Sequence, residues 1–87
     1  MRTMWYVYLL YSVSSGKLYT GISTAPTRRL AEHNGLGTKG AKATRAGRPW
    51  KIVHVESVPT KSAALKREAE IKKLSHAQKL VLTGLAA

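Results

Sequence analysis

Two short runs that are rich in aromatic and β-branched residues open the chain and constrain its fold more than any other feature. The first run is Trp5–Tyr11 and the second is Leu18–Ile22, and this composition is typical of β-strands. Ser14, Ser15 and Gly16 stand between the runs, and these residues favour a tight turn. The first 22 residues are therefore predicted to form a β-hairpin.

The rest of the chain carries helix signals around one further alternating segment. Pro26 suits the first turn of a helix, and Gly35 suits its end. The predicted elements are a helix from Pro26 to about Asn34, a strand over Trp50–Val58, a helix over Ser62–Leu74 that Thr60 can cap, and a helix from His76 to about Leu82 behind a Ser75–Gln78 capping box. The order β-β-α-β-α-α predicts a single α+β domain over residues 1–87, with a three-stranded antiparallel sheet flanked by helices.

The alternation of side chains along the strands predicts which of them share a face. In the third strand, one face would carry Trp50, Ile52, His54, Glu56 and Val58, and the other Lys51, Val53, Val55 and Ser57. In the hairpin, a turn of two or four residues would place Tyr8, Tyr19 and Gly21 on one face, whereas a turn of three or five residues would not. Gly21 would then allow a backbone or a ligand to approach closely. By spacing alone, packing is the more ordinary role for these tyrosines.

Glu68 holds an unusual place for an acidic residue. It is one of four acidic residues in a chain with 15 Lys and Arg. At helical spacing it falls within an apolar stripe formed by Ala64, Leu65 and Ile71. A carboxylate that faces inward needs a cation, a metal ion or a network of donors, because burying an unpaired charge is costly. In a basic protein that can bind phosphate, a divalent metal is the partner of most interest.

The other acidic residues and two of the histidines are predicted to have no part in catalysis. Glu70 is expected to form a surface ion pair with Lys66 and Lys73, and Glu32 is expected at the helix surface. Glu56 is expected to be either a buried partner or an exposed strand end. His54 and His76 are expected at structural positions.

The first helix presents a basic face. Arg29 and His33 are four residues apart, so they lie one above the other, and Arg28 stands beside them. Arginine can hold a phosphate through two hydrogen bonds, and histidine can donate to phosphate or move a proton near neutral pH. Taken alone, a solvated basic face is the more ordinary interpretation.

The segment Gly35–Pro49 has no periodicity and four glycines, which predicts a long loop. Basic residues recur there and just beyond at every third position, at Lys39, Lys42, Arg45, Arg48 and Lys51. Such a segment can lie along a polyanion and release its counterions. The first four are therefore candidate substrate-binding residues, while a solvated loop whose charge only aids solubility is an equally open interpretation.

The overall charge indicates an anionic partner. The 87 residues carry a formal net charge of +11, which favours nucleic acid. A membrane partner is not expected, because the basic residues are spread over a loop and two helices. The chain has no cysteine, which excludes disulfides and thiolate zinc sites. The apolar run Met4–Tyr11 is too short to span a bilayer and no signal peptide is visible, so we expect a cytoplasmic protein.

Several of these residues together resemble the GIY-YIG nuclease family. The matching features, in chain order, are Tyr6-Val7-Tyr8, Tyr19-Thr20-Gly21, the segment from Gly21 to Arg29, and the helix that presents Glu68. The resemblance covers the chain from about Trp5 to Leu82 and is closest to the small stand-alone bacterial group typified by YhbQ. The segments Lys39–Thr44 and Ile71–Leu74 are also similar to that group.

Two positions depart from the family pattern. Tyr6 stands where the first triplet has its glycine, and Ile22 stands where some members have a lysine right after the second triplet. If that lysine helps to activate the catalytic phenol, another group must do so in this chain. His33 is the candidate, because related nucleases carry a histidine one turn after the arginine.

The resemblance implies a metal-dependent endonuclease that hydrolyses DNA phosphodiester bonds in DNA repair or recombination. The implied catalytic residues are Tyr8, Tyr19, Arg29, His33 and Glu68, with Glu68 holding a single Mg²⁺ or Mn²⁺ ion. Arg29 would neutralise the charge that develops on the phosphate, and Tyr8 would take a proton from water, directly or through Tyr19. Because a free phenol has a pKa of about 10, Arg29 and the metal would have to lower that of Tyr8.

A second hypothesis keeps the fold without the chemistry. The charge of +11 and the isoleucine at position 22 also suit a non-catalytic nucleic-acid-binding module. Such a module would bind DNA or RNA in a salt-sensitive way and cut neither with any metal. In either case no small-molecule cofactor is expected, and specificity would come from the Gly35–Pro49 loop or from a partner protein.

Overall fold

The computed structural model of the protein describes residues 3–35 and 42–85, with the backbone alone at positions 42 and 43. The elements in chain order are β1 (Trp5–Ser12), β2 (Leu18–Ser23), α1 (Pro26–His33), a 3₁₀ helix (Lys42–Gly47), β3 (Trp50–Val58), α2 (Lys61–Lys72) and α3 (His76–Leu82). The predicted order of strands and α-helices and the predicted α+β class are confirmed. Within the described ranges, no helix is long and apolar enough to cross a membrane.

The three strands form one antiparallel sheet in the order β2-β1-β3, so the first strand of the hairpin is central. The four consecutive residues from Val7 to Leu10 are at most 1% exposed. Because successive side chains of a strand point to opposite faces, both faces of β1 must be covered. Helix α1 covers one face, and helices α2 and α3 cover the other.

Each face of the sheet carries its own apolar cluster. The α1 face is built on Tyr8, Leu10 and Trp50, with Tyr19, Leu30 and Ile52 packed against them. The α2 face is built on Val7, Leu9, Ala64 and Ile71, with Trp5, Ile22, Val53, Val58 and Leu82 packed against them. The aromatic residues that the sequence singled out therefore gather on the α1 face.

The hairpin has the register that a four-residue turn dictates. Tyr8 pairs directly with Gly21, and Leu10 pairs directly with Tyr19. The turn closes where the backbone N–H of Ser12 donates to the carbonyl of Lys17 at 2.9 Å. Tyr8, Tyr19 and Gly21 consequently share one face, which is the alternative predicted from the sequence for a turn of two or four residues.

A β-bulge in β3 makes the predicted division of its side chains wrong. Leu9 pairs with His54 while Leu10 pairs with Ile52, so Val53 is an extra residue without a direct partner. An extra residue reverses the alternation from that point onward. As a result Trp50 and Ile52 lie on the α1 face, whereas Val53 and Val58 pack on the α2 face.

The predicted helix caps are present in the structure. The Oγ1 of Thr60 accepts a hydrogen bond from the backbone N–H of Ala63 at 3.1 Å. Ser75 and Gln78 form a reciprocal capping box at the start of α3. Pro26 lies in the first turn of α1, and Gly35 follows that helix with a φ of 102°. Local hydrogen bonding therefore sets most helix boundaries.

The apolar stripe predicted for α2 is narrower in the structure. Ala64 and Ile71 are fully buried, but Leu65 is 47% exposed, so its inclusion was wrong. Ala64 and Ile71 are seven residues apart and nearly eclipsed, whereas Leu65 is turned about 100° from Ala64. Glu68, four residues after Ala64, stays close to the buried line.

The prediction of a structureless loop over Gly35–Pro49 is wrong for its second half. The segment Lys42–Gly47 forms a 3₁₀ helix, and residues 36–41 lie outside the described ranges. The indole Nε1 of Trp50 donates to the carbonyl of Thr44 at 2.6 Å. The hydroxyl of Ser12 donates to the carbonyl of Gly47 at 2.6 Å. Side chains that are distant in sequence thus order this segment.

Candidate active site

A chain of hydrogen bonds joins three buried side chains on the α1 face. The Oη of Tyr8 lies 3.0 Å from Nε2 of His33, and Nδ1 of His33 lies 2.9 Å from Oγ1 of Thr44. Tyr8 is 1% exposed, and His33 and Thr44 are fully buried. Because buried polar groups are costly to leave unpaired, these contacts fix the orientation of both the phenol and the imidazole.

Gly21 provides the space that the Tyr8 phenol occupies. A Cβ atom at this position would lie 2.6 Å from Oη of Tyr8 and 3.2 Å from a ring carbon of Tyr19. The ring of Tyr19 packs against His33 with a centroid separation of 5.0 Å. The sequence predicted that a backbone or a ligand approaches Gly21, whereas in the structure the side chain of Tyr8 does so. A contact between Gly21 and substrate stays a prediction.

Helix α1 brings Arg29 to the same site. Its Nη1 donates to Oε1 of Glu32 at 3.0 Å, and the two side chains are 28% and 17% exposed. Arg29 also hydrogen-bonds with Tyr8. The hydrogen bond that Arg29 donates to Glu32 is the main cause that raises the pKa of Arg29, and burial opposes it. The guanidinium therefore links an acid on its own helix with the phenol of β1.

Glu68 reaches this site from helix α2. Its side chain is 18% exposed, and Oε2 lies 3.4 Å from Nζ of Lys72, which is 57% exposed. The negative charge of Glu68 is the smallest of the causes that raise the pKa of Tyr8. The sequence predicted an inward-facing acid whose partner is a cation, a metal ion or a network of donors, and the structure gives a largely covered acid beside an exposed lysine.

The electrostatic surroundings of Tyr8 keep its phenol protonated. Burial, and then the neighbouring Tyr19, raise the pKa of Tyr8 to about 12, and the charge of Arg29 opposes them only in part. The positive charge of Arg29 lowers the pKa of Tyr8, as the expected chemistry requires, but burial raises this pKa by more. Since a guanidinium can only donate, Tyr8 Oη accepts from Arg29 and donates its own proton to Nε2 of His33.

His33 is neutral at physiological pH. Burial, assisted by the positive charges of Arg29 and Arg48, lowers the pKa of His33 to about 4, while Glu32 opposes this shift. A neutral imidazole has one acceptor and one donor nitrogen. With Nε2 accepting from Tyr8, Nδ1 donates to Thr44. The imidazole is thus held as a proton acceptor directly behind the phenol.

The sequence of this chain matches the family model of the GIY-YIG catalytic domain over residues 4–80. The chain belongs to the GIY-YIG family. Members of this family are generally endonucleases, and GIY-YIG nucleases act on DNA. Membership therefore assigns a nuclease fold to the protein and nucleic acid as the class of substrate.

Similar proteins place this GIY-YIG domain in the UPF0213 group. A UPF0213 protein from Syntrophus aciditrophicus is 52% identical over 77 residues, which cover 88% of this chain and 86% of the relative. A UPF0213 protein from Halobacterium salinarum is 47% identical over 79 residues, which cover 91% of this chain and 99% of the relative. The relatives come from archaea as well as bacteria.

Solved structures show the same fold. The NMR structure of an E. faecalis protein matches with a TM-score of 0.60 and 38% identity, covering 99% of this chain and 92% of that one. The NMR structure of a UPF0213 protein from Bacillus halodurans matches with a TM-score of 0.56 and 27% identity, covering 94% of this chain and 84% of that one.

The GIY-YIG site contains a carboxylate, that of Glu68, which is of the kind that binds a divalent ion. Among the described residues, no three His, Cys, Asp or Glu side chains cluster into an all-protein metal site. Mg²⁺ is commonly held by one or two carboxylates together with water and substrate phosphate oxygens, and Glu68 supplies one such carboxylate. Its ion pair with the exposed Lys72 is weak enough to exchange. Glu68 can therefore hold an ion with help from water and phosphate.

The candidate basic substrate-binding residues of the GIY-YIG domain fall into three groups. Arg28 and Arg45 are exposed and available to a ligand. Arg48 is engaged, because its Nε donates to the carbonyl of His33 at 2.7 Å, so it holds the end of α1. Lys39 and the side chain of Lys42 lie outside the described residues. Substrate contacts by all of these side chains stay predictions.

Ile22, which stands where some family members have a lysine, points away from the phenol of Tyr8. Ile22 pairs directly with Val7 and packs in the cluster on the α2 face. Tyr8 lies on the opposite face, where its hydroxyl contacts His33. In this GIY-YIG domain, the side chain that contacts the hydroxyl of Tyr8 is therefore not that of residue 22 but that of His33 in α1.

A second polar cluster ties β3 to α2 on the far face of the GIY-YIG domain. Glu56 accepts hydrogen bonds from Nε and Nη2 of Arg67 at 2.7 and 3.1 Å, and Nε2 of His54 lies 2.7 Å from it. Glu70 lies 3.7 Å from Arg67, so its predicted pairing with Lys66 and Lys73 was wrong. Arg67 is three residues before Glu70 and is drawn to this side by Glu56.

Sequence reasoning missed two residues of the site. Glu32 was expected at the helix surface, yet it is largely covered and bound to Arg29, and its spacing of three residues from Arg29 was the available signal. Thr44 orients His33 from a segment with no periodicity. No local pattern identifies Thr44, because its position depends on contacts with Trp50, which lies in another element.

Proposed function

We propose that this protein is a metal-dependent endonuclease that hydrolyses DNA phosphodiester bonds, with a role in DNA repair or recombination. One observation carries the proposal. The phenol of Tyr8 is held by His33 at 3.0 Å and lies within electrostatic reach of Tyr19, Arg29 and Glu68. A proton acceptor, a fixed cation and a carboxylate that can hold a metal are therefore all within electrostatic reach of the Tyr8 phenol.

Arg29 would bind the scissile phosphate. Its guanidinium is partly exposed and carries a planar set of donors that suits phosphate oxygens. Glu32 accepts a hydrogen bond from this side chain and so helps to fix its orientation. Because the guanidinium is oriented before substrate arrives, it can stabilise the extra negative charge of the transition state without reorganising.

Tyr8 and His33 would take up the proton of the attacking water together. The water would give its proton to Oη of Tyr8 while Tyr8 passes its own proton to Nε2 of His33. This relay avoids a free phenolate, which burial disfavours, since the pKa of Tyr8 is raised to about 12. Negative charge on a bound phosphate would favour the imidazolium that forms.

Glu68 would hold the divalent ion, Mg²⁺ or Mn²⁺. When bound, such an ion polarises the phosphoryl group and stabilises the oxygen that departs. The side chain is largely covered by protein on helix α2, which fixes its direction. Lys72 is exposed and would move aside, since surface ion pairs contribute little.

Affinity for DNA would come from the charge of the chain. The formal net charge of +11 arises from 15 basic and four acidic residues. Neutralising phosphates with lysine and arginine releases counterions, so binding should weaken steeply as salt increases. The exposed Arg28 and Arg45 are the described side chains that we propose for this role.

A non-catalytic DNA-binding role is favoured by one observation. The phenol of Tyr8 is buried, and its raised pKa of about 12 keeps it protonated. These properties suit a packing residue as well as they suit a base. This alternative predicts binding without product under any metal. It places the whole function of the domain in its basic surface.

The test is a cleavage assay on end-labelled DNAs that include linear, nicked, flapped and branched forms. Wild-type protein should cut at least one form with Mg²⁺ or Mn²⁺, and EDTA should stop the reaction. Binding of the same DNAs without product in either metal would instead support the non-catalytic role.

A further inference from the structure

Tyr6 is an aromatic residue of β1 that belongs to neither apolar cluster. It lies two positions before Tyr8, so the two phenols are on the same face of the strand. Its direct partners are Ser23 on β2 and Ser57 on β3. Directly opposed side chains are close neighbours in a sheet, and two serines are too short to cover a phenol ring.

Val55 extends the uncovered surface beside Tyr6. It pairs directly with Tyr8 on the α1 face and is 45% exposed, whereas Tyr8 is 1% exposed. As the diagonal neighbour of Tyr6, it lies within reach of a tyrosine ring. We call Tyr6, Ser23, Val55 and Ser57 the Tyr6 strip.

The ring and the hydroxyl of Tyr6 have no partner within residues 3–35 and 42–85. The aromatic contacts on this face join Tyr8 and Tyr19 to His33, and Tyr19 to Trp50, without Tyr6. The described residues that have further polar contacts are Arg29, Glu32 and Thr44. A partly covered tyrosine with a free hydroxyl is typical of surfaces that bind a ligand.

The charge of the chain as a whole favours an anionic ligand. The chain has four acidic residues against 15 basic ones, and none of the acidic residues belongs to the strip. Each is bound to a cation elsewhere: Glu32 to Arg29, Glu56 and Glu70 to Arg67, and Glu68 to Lys72. An aromatic ring on the surface of a basic protein is the combination that single-stranded nucleic acid recognises, with bases on aromatic rings and phosphates on cations.

We propose that the Tyr6 strip is a stacking site for an unpaired DNA base next to the scissile phosphate. This inference rests on the proposed function, because it takes the phosphate to lie near Tyr8 and Arg29. Residues two apart in a strand are separated by roughly 6.6 Å, so a base on Tyr6 would belong to a nucleotide adjoining that phosphate. The strip is therefore continuous with the candidate active site.

The proposal also sets the form of the substrate. A base within a duplex has both faces covered by its neighbours, so stacking on a tyrosine requires a base that has left the helix. The preferred DNA would be a single strand, a flap or a gap, with its unpaired base beside the cleaved bond. A fully paired duplex would leave the strip empty and bind less tightly.

The test uses 2-aminopurine, whose fluorescence falls when it stacks on an aromatic ring. The probe is scanned along a single-stranded DNA, a flap and the matching duplex, and binding is measured in EDTA with the Glu68→Gln variant so that no cleavage is needed. We expect quenching at one position of the single strand and the flap, and none in the duplex.

Two substitutions separate stacking from folding. Tyr6→Phe keeps the ring and should keep the quenching, whereas Tyr6→Leu should remove it and weaken single-strand binding roughly 5- to 150-fold. Val81→Ala, at a residue of α3 that is 58% exposed, is the control and should change neither. Circular dichroism on each variant verifies that the fold is retained.

The outcomes separate this inference from the proposed function. Quenching that persists in Tyr6→Leu, or equal affinity for the duplex and the single strand, overturns the stacking site even if the wild-type protein cuts DNA. Quenching that depends on Tyr6 supports the site even if no metal gives cleavage, in which case the nuclease proposal fails alone.

Discussion

The hydroxyl of Tyr8 and Nε2 of His33 are joined by a 3.0 Å hydrogen bond between residues 25 apart in sequence. β1 supplies the phenol and the last residue of α1 supplies the imidazole. Burial shifts the pKa of each group toward its neutral form, to about 12 for Tyr8 and about 4 for His33. Neither partner is therefore charged before substrate arrives, and in the proposed mechanism the pair would act as a neutral proton relay.

Removal of the Tyr8 hydroxyl should abolish most cleavage while preserving DNA binding. We expect Tyr8→Phe to reduce the rate roughly 100- to 10,000-fold, the usual contribution of a positioned proton acceptor. Tyr11→Phe is the matched control, because Tyr11 is in the same strand and lies beside Lys51, away from His33. Single-turnover cleavage measures the effect. Similar rates for both variants would remove Tyr8 from the chemistry.

Gly21→Ala should impair cleavage without removing any functional group. The added Cβ would lie 2.6 Å from Tyr8 Oη and so force the phenol away from His33. We expect a loss of activity of at least roughly tenfold and a lower melting temperature. Gly84→Ala is the control, because a Cβ there meets nothing within 4 Å, although its φ of 75° adds backbone strain. Activity in Gly21→Ala equal to that control would contradict the tight packing.

Stability should fall as the pH decreases from about 6.5 to about 4. The pKa of His33 is lowered from 6.5 to about 4 in the fold, chiefly by burial. Between these pH values His33 takes up a proton in the unfolded chain but stays neutral in the folded protein. The free energy of unfolding therefore falls by about 3 kcal/mol in total. Urea denaturation across this pH range measures the slope.

The variant His33→Gln should flatten that slope, because glutamine does not titrate. His76→Gln, at an exposed position, should leave it unchanged. A slope that persists in His33→Gln would show that another group causes the loss of stability.

The ion pair between Glu56 and Arg67 should contribute to stability and not to cleavage. Hydrogen bonding by Arg67 lowers the pKa of Glu56, so this contribution is present above the usual value of 4.5 and is lost as the pH falls through the lowered value. Glu56→Gln should cost about 1 kcal/mol, since both side chains are partly exposed. Chemical denaturation and a cleavage assay together check this, and a marked loss of activity would contradict it.

The elements that sequence reasoning predicted well are those set by local chemistry. The hairpin register followed from the turn, and the Thr60 and Ser75 caps followed from side chains that satisfy nearby backbone donors. The placement of Tyr8 beside Gly21 needed only the parity of two strands. Each of these depends on residues within a few positions of one another or across one turn.

The features that sequence reasoning missed depend on tertiary contacts. The bulge at Val53 reverses the alternation of side chains along β3. It arises from the pairing of β3 with β1, and no sequence pattern within β3 indicates it. Arg48 looked like a free cation but is held by the carbonyl of His33, and Thr44 is ordered by Trp50. Such contacts join segments whose separation in sequence carries no periodic signal.

The most direct test of the nuclease account compares Glu68→Gln with Glu70→Gln in the presence of Mg²⁺ or Mn²⁺. The two residues lie on the same helix, but the side chain of Glu68 is 18% exposed and its charge acts on the pKa of Tyr8, whereas Glu70 is 55% exposed and bound to Arg67. The account predicts that Glu68→Gln binds DNA and cuts none, while Glu70→Gln cuts like the wild type. Metal-dependent cleavage by Glu68→Gln at the wild-type rate would contradict it.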